Sequence, residues 1–353
     1  MMFLDEIHVT FYIDTAAAIL SLGVFVLCGR GIIKDEPLSK LFRSLSIVCF
    51  CLSLLDAATY ARKNHEFPGA LPIALGLQTL LELTLNFVII LWMVFVNYRI
   101  YHSRDVIKRD FVKYLIPLVI LMGIDIINVF TGIIFYYDEH VMYHTTAFTI
   151  YYYVVRYAYL FGGAIQIAVS KKSHRDLKFF DVWGFIIPSL AGGLINSFTD
   201  YSGMCLGFAI GLCLVYAGII NELSFMDHQT GYYNRYYLRY LKRDIDSETF
   251  SPKSGIIYRL MDPDDMKAFA GLLSPILPKK CEVVRYNEDT VVMLAEISKR
   301  GALHMMSEDV ESAVEQYNRD NQDKTMSVTM DEVYKKKKET SKGFYEMFIR
   351  RIG

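Results

Sequence analysis

Seven apolar stretches fill the first 226 residues of this 353-residue chain, at roughly 9–29, 42–60, 72–98, 114–137, 146–170, 182–199 and 203–224. A helix needs about 20 residues to cross ~30 Å of hydrocarbon. Most of the stretches clear that length, and 182–199 is marginal. Residues 182–224 are too long for one helix and break at the turn-rich run Thr199-Asp200-Tyr201-Ser202-Gly203, which favours seven spans over six. The expected fold of residues 1–226 is therefore a membrane all-α seven-helix bundle, with its termini on opposite sides of the bilayer.

Orientation follows from Lys and Arg, because cationic loops are retained in the cytoplasm. The first, third and fifth connections carry Arg30, Lys34, Lys40 and Arg43, then Arg99, Arg104, Lys108, Arg109 and Lys113, then Lys171, Lys172, Arg175 and Lys178. The second, fourth and sixth carry only Arg62 and Lys63. This asymmetry places the N-terminus outside and the C-terminal segment in the cytoplasm, in a multi-pass protein of the cell membrane whose first partner is the lipid bilayer. The opening Met1-Met2-Phe3-Leu4-Asp5 lacks a basic n-region, and no small-residue cleavage site lies near Cys28, so no removable signal peptide is expected.

Charged side chains inside spans are costly in hydrocarbon and must be paired or belong to a site. The candidates are Asp14, Asp56, Glu82, Asp125, Asn128, Arg156, Gln166 and Asn196. Arg156 is the one cation deep in a span, and Glu82, Asp56 or Asp125 is its expected partner. An interhelical ion pair is the favoured reading over a ligand site. Tyr152, Arg156 and Tyr159 share a helical face by their spacing, and an aromatic face around a guanidinium suits a small anionic or aromatic ligand. Interfacial aromatic belts are the commoner origin of such tyrosines. Stretch 203–224 contains no Lys, which discounts a retinal Schiff base. Pro188 and Gly192-Gly193 mark the sixth stretch for a kink or for close packing. The six cysteines, Cys28, Cys49, Cys51, Cys205, Cys213 and Cys281, show no Cys-x-x-Cys pair and read as reduced small hydrophobes.

The chain changes character at Asp227. Residues 227–353 hold 21 basic and 21 acidic residues, a soluble composition whose charges cancel. A nucleic-acid surface would need a strongly basic face, so none is expected. Periodicity gives a helix near 232–245, a strand Ser254–Met261, a helix near 263–276, strands Cys281–Asn287 and Thr290–Glu296, a helix near 307–319, a strand Thr325–Met330 and a helical tail. After the first helix the order is βαββαβ, the ferredoxin-like α+β arrangement of an antiparallel sheet backed by helices on one face. Lys335–Lys338 reads as a solvated helix face, and Phe344, Tyr345, Phe348 and Ile349 as the docking face of the last helix.

Asp227-x-x-Thr230-Gly231-x-x-Asn234-Arg235 resembles the D-x-L-T-G-L-x-N-R opening motif of the GGDEF family, the diguanylate cyclase domains, with Gln229 and Tyr232 in place of the two Leu. Residues Arg285 to Leu294 align with that family's R-Y-G-G-D-E-F-V-V-L hairpin, and Thr325 to Thr329 with its late strand. The resemblance covers residues 227–353. It implies a cytosolic domain attached, as is common in the family, to a multi-span membrane sensor. It further implies a chemistry that joins two GTP molecules into a cyclic dinucleotide across a homodimer. Glycines let the backbone approach phosphate, and carboxylate-held divalent metals neutralise charge developing in phosphoryl transfer.

The departures bear on function. Both hairpin glycines are replaced, by Asn287 and by Glu288, which brings a negative side chain to the phosphate position. Asp262 and Asp289 stand at the family's metal-carboxylate positions and suit one Mg²⁺ if the domain is active, but the next acid is Thr290. Asp262-Pro263-Asp264-Asp265 also reads as a helix cap. Nothing in Met266–Lys280 matches the family's guanine-recognising segments, and the R-x-x-D inhibitory motif would fall at Pro278 and Cys281, where it is missing.

The expectation is thus a seven-helix receptor for a small ligand, with a degenerate, catalytically inactive output domain acting by dimerisation or partner binding. Only a few residues separate the last stretch from Asp227, so helix motion would pass to the domain directly. A working nucleotide cyclase with an altered site, using Asp262, Glu288 and Asp289, is the second reading. A transporter with a regulatory domain ranks last, because the stretches show no internal repeat.

Overall fold

The computed structural model describes residues 2–30, 36–62, 67–101, 104–170, 181–199, 201–278, 281–322 and 324–352. The loop cations Lys34, Lys63, Lys171, Lys172, Arg175 and Lys178, and the turn residue Asp200, lie outside the described residues. The chain divides into two compact units, Met1–Glu222 and Leu223–Gly353.

The first unit contains helices α1 (Met2–Gly29), α2 (Glu36–Arg62), α3 (Ala70–Tyr101), α4 (Arg104–Thr131), α5 (Ala147–Ser170), α6 (Trp183–Phe198) and α7 (Met204–Ser224). Four helical segments among the described residues are long and apolar enough to cross a membrane: His8–Gly29, Pro37–Arg62, Ala70–Tyr101 and Met204–Ser224. The apolar stretches of α4 and α6 are shorter, Leu115–Thr131 and Trp183–Asn196. In α5 five tyrosines and Arg156 dilute the apolar character of a helix that is long enough.

The fourth apolar stretch departs from the expected helix through 137. It stops at Thr131 because Gly132 turns to φ +63°, a conformation costly for residues with a Cβ. Phe135–Tyr137 then forms β1, paired antiparallel with β2 (Tyr143–Thr145). Asn128 holds this corner. Its Oδ1 accepts from Ile134 N at 2.6 Å and Phe135 N at 3.3 Å, and its Nδ2 donates to Phe135 O at 3.0 Å, so backbone groups leaving the helix find partners.

Burial in this unit runs opposite to that of a water-soluble bundle. Ile126, Phe130, Ile150, Val154, Ile165, Val169, Ile187 and Phe198 face outward, while Asp14, Asp56, Glu82, Asn86, Asp125, Asn128 and Arg156 are buried. Polar side chains inside and apolar ones outside is the arrangement that hydrocarbon surroundings select.

Helices α6 and α7 meet through backbone. Gly203, Gly207 and Gly211 repeat every fourth residue, Gly203 just ahead of α7 and the other two on one of its faces. A Cβ on Gly207 would sit 2.4 Å from Pro188 O, and one on Gly211 would sit 2.8 Å from the Phe185 ring. On α6, a Cβ on Gly192 would meet Gly203 O at 2.3 Å, and one on Gly193 would collide with the Tyr157 hydroxyl. The glycine pair is therefore a packing device, and α6 continues as helix past Pro188.

The second unit contains β3 (Tyr233–Asn234), α8 (Leu238–Asp246), β4 (Ser254–Leu260), α9 (Met266–Leu273), β5 (Cys281–Arg285), β6 (Thr290–Ala295), α10 (Arg300–Asp320), β7 (Val328–Tyr334) and α11 (Ser341–Ile352). The strands lie in the order β3-β5-β6-β4-β7. Pairing is antiparallel except between β3 and β5, which makes the sheet mixed rather than wholly antiparallel.

Alternation along β4 fixes both faces. Ile256, Tyr258 and Leu260 enter a core with Met266, Phe269 and Leu273 of α9 and Leu303, Met306 and Val310 of α10. On the opposite face Gly255 lies against Phe348 of α11, and Tyr345 Oη donates to Leu238 O at 2.7 Å, joining α11 to α8. Helices therefore cover both faces, not one.

Several boundaries differ from the expected ones. The helix expected near 232–245 begins at Leu238, because Tyr233–Asn234 is strand β3 and Arg235–Tyr237 a 3₁₀ turn. Helix α10 begins at Arg300 rather than near 307, because Leu303, Met306 and Val310 already continue the buried stripe. Strand β7 runs Val328–Tyr334 rather than Thr325–Met330, since every residue of β4 finds a partner there, which overrides the weak strand preference of Asp331 and Glu332. Lys335–Lys338 is a loop between β7 and α11, not a helix face, with Lys335 N bonded to Lys253 O at 2.9 Å.

Gly255 has no room for a side chain: a Cβ would sit 2.5 Å from the Phe348 ring and 2.8 Å from Met293 O. Gly255→Val should destabilise the second unit by about 1–3 kcal/mol. A lowered thermal midpoint in its unfolding transition would show this, and an unchanged midpoint would contradict the packing described.

Candidate functional site

Two polar assemblies bring together the residues that the sequence singles out. The first lies among α3, α4 and α5. Gln78, Glu82 and Asn86 are spaced by four residues, so they form one polar stripe on α3. Arg156 of α5 lies against it. Its Nη1 donates to Glu82 Oε2 at 2.6 Å, its Nη2 to Glu82 O at 3.2 Å and its Nε to Asn86 Oδ1 at 2.8 Å. Glu82 Oε1 accepts in addition from Gln78 Nε2 at 3.0 Å.

Asn86 extends the network, its Nδ2 donating to Asp125 Oδ2 of α4 and to Tyr152 Oη, each at 2.7 Å. The Tyr152 hydroxyl donates in turn to Asp125 Oδ1. The guanidinium carbon stands 4.2 Å from the Tyr152 ring centroid and 5.9 Å from that of Tyr153. Tyr159, expected on the same face, is only partly buried and packs beside the apolar cluster around Ile89 and Leu118. Asp56, the third candidate partner of Arg156, accepts instead from Ser202 Oγ and from Cys205 Sγ.

The partner of Arg156 is therefore Glu82, and Asn86 links that pair to Asp125. Bonded on both sides, the guanidinium presents its face only to tyrosine rings. The sequence reading missed Gln78, Asn86 and Tyr153. The four-residue spacing of Gln78, Glu82 and Asn86 was the available signal.

The second assembly is in the C-terminal unit. Asp227 opens a closed turn. Its Oδ1 accepts from Thr230 N at 2.9 Å and Thr230 Oγ1 at 2.8 Å, and Gly231 N bonds Asp227 O at 2.9 Å. Gly231 adopts φ +74°, which explains a glycine there. Asn234 Nδ2 donates to Ser224 O at 2.8 Å, and its Oδ1 accepts from Tyr236 N at 3.0 Å, capping the 3₁₀ turn at Arg235–Tyr237 that leads into α8. The Arg235 guanidinium lies over the Tyr236 ring. Strand β3 then pairs parallel to β5, with Asn234 opposite Arg285.

That register places Arg285 between the turn and the β5–β6 hairpin. Its Nη1 reaches Asp227 Oδ2 at 3.1 Å and Gln229 Oε1 at 2.7 Å. Its Nε and Nη2 donate to the carbonyls of Asn287 at 3.2 Å and Glu288 at 3.3 Å. Burial alone would raise the Asp227 carboxyl. The Thr230 N–H, the Thr230 hydroxyl and Arg285 outweigh it and hold the group below its ordinary value of 3.8.

An open cleft of about 720 Å³ is lined here by Asp227, Asn234, Arg235, Pro263, Arg285, Tyr286, Asn287, Glu288 and Asp289. Asp289 accepts from Thr290 Oγ1 at 2.6 Å, and its carbonyl accepts from Leu260 N at 2.8 Å. Asp262 lies outside the lining. It accepts from Asp264 N at 2.9 Å as the cap of the Pro263–Asp265 turn, with Lys324 Nζ 3.9 Å away. Lys324 pairs more closely with the buried Asp265, at 3.0 Å.

No family model matches this chain, and no curated protein matches it.

Two predictions follow from these bonds. Arg156→Ala leaves Glu82 buried without its cation and should cost about 3–5 kcal/mol, whereas Arg156→Met with Glu82→Met, which removes both charges, should recover most of it. Thermal unfolding in detergent measures both. For Asp227, whose folded value lies below its unfolded one, the stabilisation is complete above the ordinary carboxylate range and is lost as pH falls through the lowered value. The C-terminal unit should therefore lose stability on acidification, and Arg285→Met should flatten that acid limb.

Proposed function

We propose that this chain is a seven-span membrane receptor whose C-terminal unit is a degenerate, catalytically inactive GGDEF-like domain that signals by dimerisation or by binding a partner. Three of the seven spans are α4, α5 and α6. Support for them comes from the outward apolar faces of these helices, set against the buried polar face of Arg156 and Tyr152. The excess of Lys and Arg in alternate connections supports a cytoplasmic C-terminal unit. The strand order β5-β6-β4-β7, with antiparallel neighbours and α9 and α10 as the two crossovers, supports the ferredoxin-like arrangement that the GGDEF family uses.

The observation that carries the inactive reading is the engagement of the hairpin with its own chain. In a glycine turn that cradles phosphate, backbone N–H groups point at the ligand. Here the carbonyls of Asn287 and Glu288 turn to Arg285, which is itself held by Asp227 and Gln229. The carboxylates at the family's metal positions also serve local structure, Asp262 as a cap and Asp289 as acceptor for Thr290. Moving the Asp262 carboxylate would uncap that turn.

A second reading, a membrane-bound nucleotide cyclase with an altered Mg²⁺ site, draws on the cleft itself, which gathers Asp227, Glu288 and Asp289 with Arg235 and Arg285. Incubation of the purified protein with Mg²⁺ or Mn²⁺ and each nucleoside triphosphate separates the two. The expected result is no cyclic or linear dinucleotide. Product that disappears on Asp289→Ala would overturn the inactive reading.

A further inference from the structure

A second buried polar cluster, separate from that of Arg156, lies where α1, α2 and the start of α7 meet. Asp14 of α1 and Asp56 of α2 are both almost fully buried, at 1% and 5% exposure. One carboxylate oxygen of each and Cys205 Sγ lie within 4.8 Å of one another. Ser202 stands just ahead of α7 and donates its hydroxyl to Asp56. Cys205 Sγ lies 3.3 Å from Asp56 Oδ2, and Ser202 N lies 3.5 Å from Thr10 Oγ1 of α1.

Asp14 adds an independent observation. Both its carboxylate oxygens are buried, and neither receives a hydrogen bond from the described residues. The charged groups acting on these two acids are acids themselves, Asp56 on Asp14 and Glu82 on Asp56. An anionic pair in a low-dielectric setting needs a cation or protons. Among the described residues the buried cations are engaged elsewhere, Arg156 with Glu82 and Asn86 and Arg99 with Glu222.

We propose that Asp14, Asp56 and Cys205 bind a zinc-like divalent transition-metal ion between α1, α2 and α7, with the Ser202 hydroxyl beside it. Two carboxylate oxygens and a thiolate form a mixed hard and soft donor set of the kind that zinc and cobalt accept and that magnesium and calcium, which take oxygen alone, do not. Zinc–oxygen bonds of about 2.0–2.2 Å and zinc–sulfur bonds of about 2.3 Å, arranged tetrahedrally, set ligand atoms roughly 3.3–3.7 Å apart. The 3.3 Å between Cys205 Sγ and Asp56 Oδ2 is a thiol hydrogen bond that need lengthen by only about 0.2–0.4 Å to become a sulfur–oxygen edge of that tetrahedron. Binding displaces the thiol proton, and any proton held by either carboxyl, to solvent, so that three anionic donors meet a dication. The site is independent of any role of the C-terminal unit, and it gives Cys205 a task that its apolar setting in the sequence conceals.

Cobalt(II) tests this without relying on variants. The full-length protein, purified in detergent, stripped with chelator and titrated with Co²⁺, should bind one ion per chain with the intense visible bands of tetrahedral cobalt and a near-ultraviolet thiolate charge-transfer band. Zinc should displace the cobalt and abolish both. Cys205→Ser should lose the charge-transfer band, and Asp14→Asn or Asp56→Asn should lose binding while still eluting as a monodisperse species. Weak octahedral cobalt bands without thiolate character in the wild type would overturn the proposal, and so would a charge-transfer band that survives Cys205→Ser and vanishes with Cys49→Ser.

Discussion

The membrane half is organised around a guanidinium that has nowhere to go. Arg156 lies among helices whose outward faces are apolar, and an unpaired cation there is among the most costly arrangements a protein can adopt. Its three nitrogens each find an acceptor on α3, which fixes the rotation of α5 about its axis and the register of one helix against the other. Asn86 then passes the constraint to α4 through Asp125 and Tyr152. The outward apolar side of α5 is set by the same choice: with Arg156 and Tyr152 inward, Ile150, Val154, Ile165 and Val169 point out.

A second arginine organises the C-terminal unit under different physics. Arg285 joins the opening turn, Gln229 and the carbonyls of the β5–β6 hairpin, yet its side chain keeps 14% of its surface and its partner Asp227 keeps 21%. Water competes for these bonds, so their worth lies more in geometry than in energy. They hold Asp227, Thr230 and Gly231 against the sheet edge where β3 pairs with β5. This gives the motif residues a structural purpose whether or not a nucleotide ever binds.

Much of this architecture was legible in the residues, and the failures have identifiable causes. Apolar length revealed the four helical segments that are long and apolar enough to cross a membrane, because such a span is recorded in composition alone. Alternation revealed β4, β5 and β6, whose apolar residues are continuous and flanked by turns. β7 was misplaced because its second half, Asp331 to Tyr334, is polar along an edge and becomes strand only through pairing with β4. Gly301 masked the first turn of α10. Asn128 read as an isolated polar residue because the β1–β2 hairpin that it anchors has strands of only three residues each and no distinctive turn signal. At the sites, Arg156 was conspicuous and its choice among three acids was not, since helix order in sequence does not specify which faces meet. Asp14, Asp56 and Cys205 lie far apart in sequence, and nothing but the fold brings them together.

The glycines of α7 carry a mechanical consequence. With Gly207 against the Pro188 carbonyl and Gly211 against Phe185, the α6–α7 seam has clearance only where the repeat of four presents a missing side chain. Axial slippage presses a Cβ into backbone, and even a shift by the whole repeat, about 6 Å, brings Val215 to the place of Gly211 or Thr199 to that of Gly203. The seam therefore works as a stop that holds α7 at one height against α6.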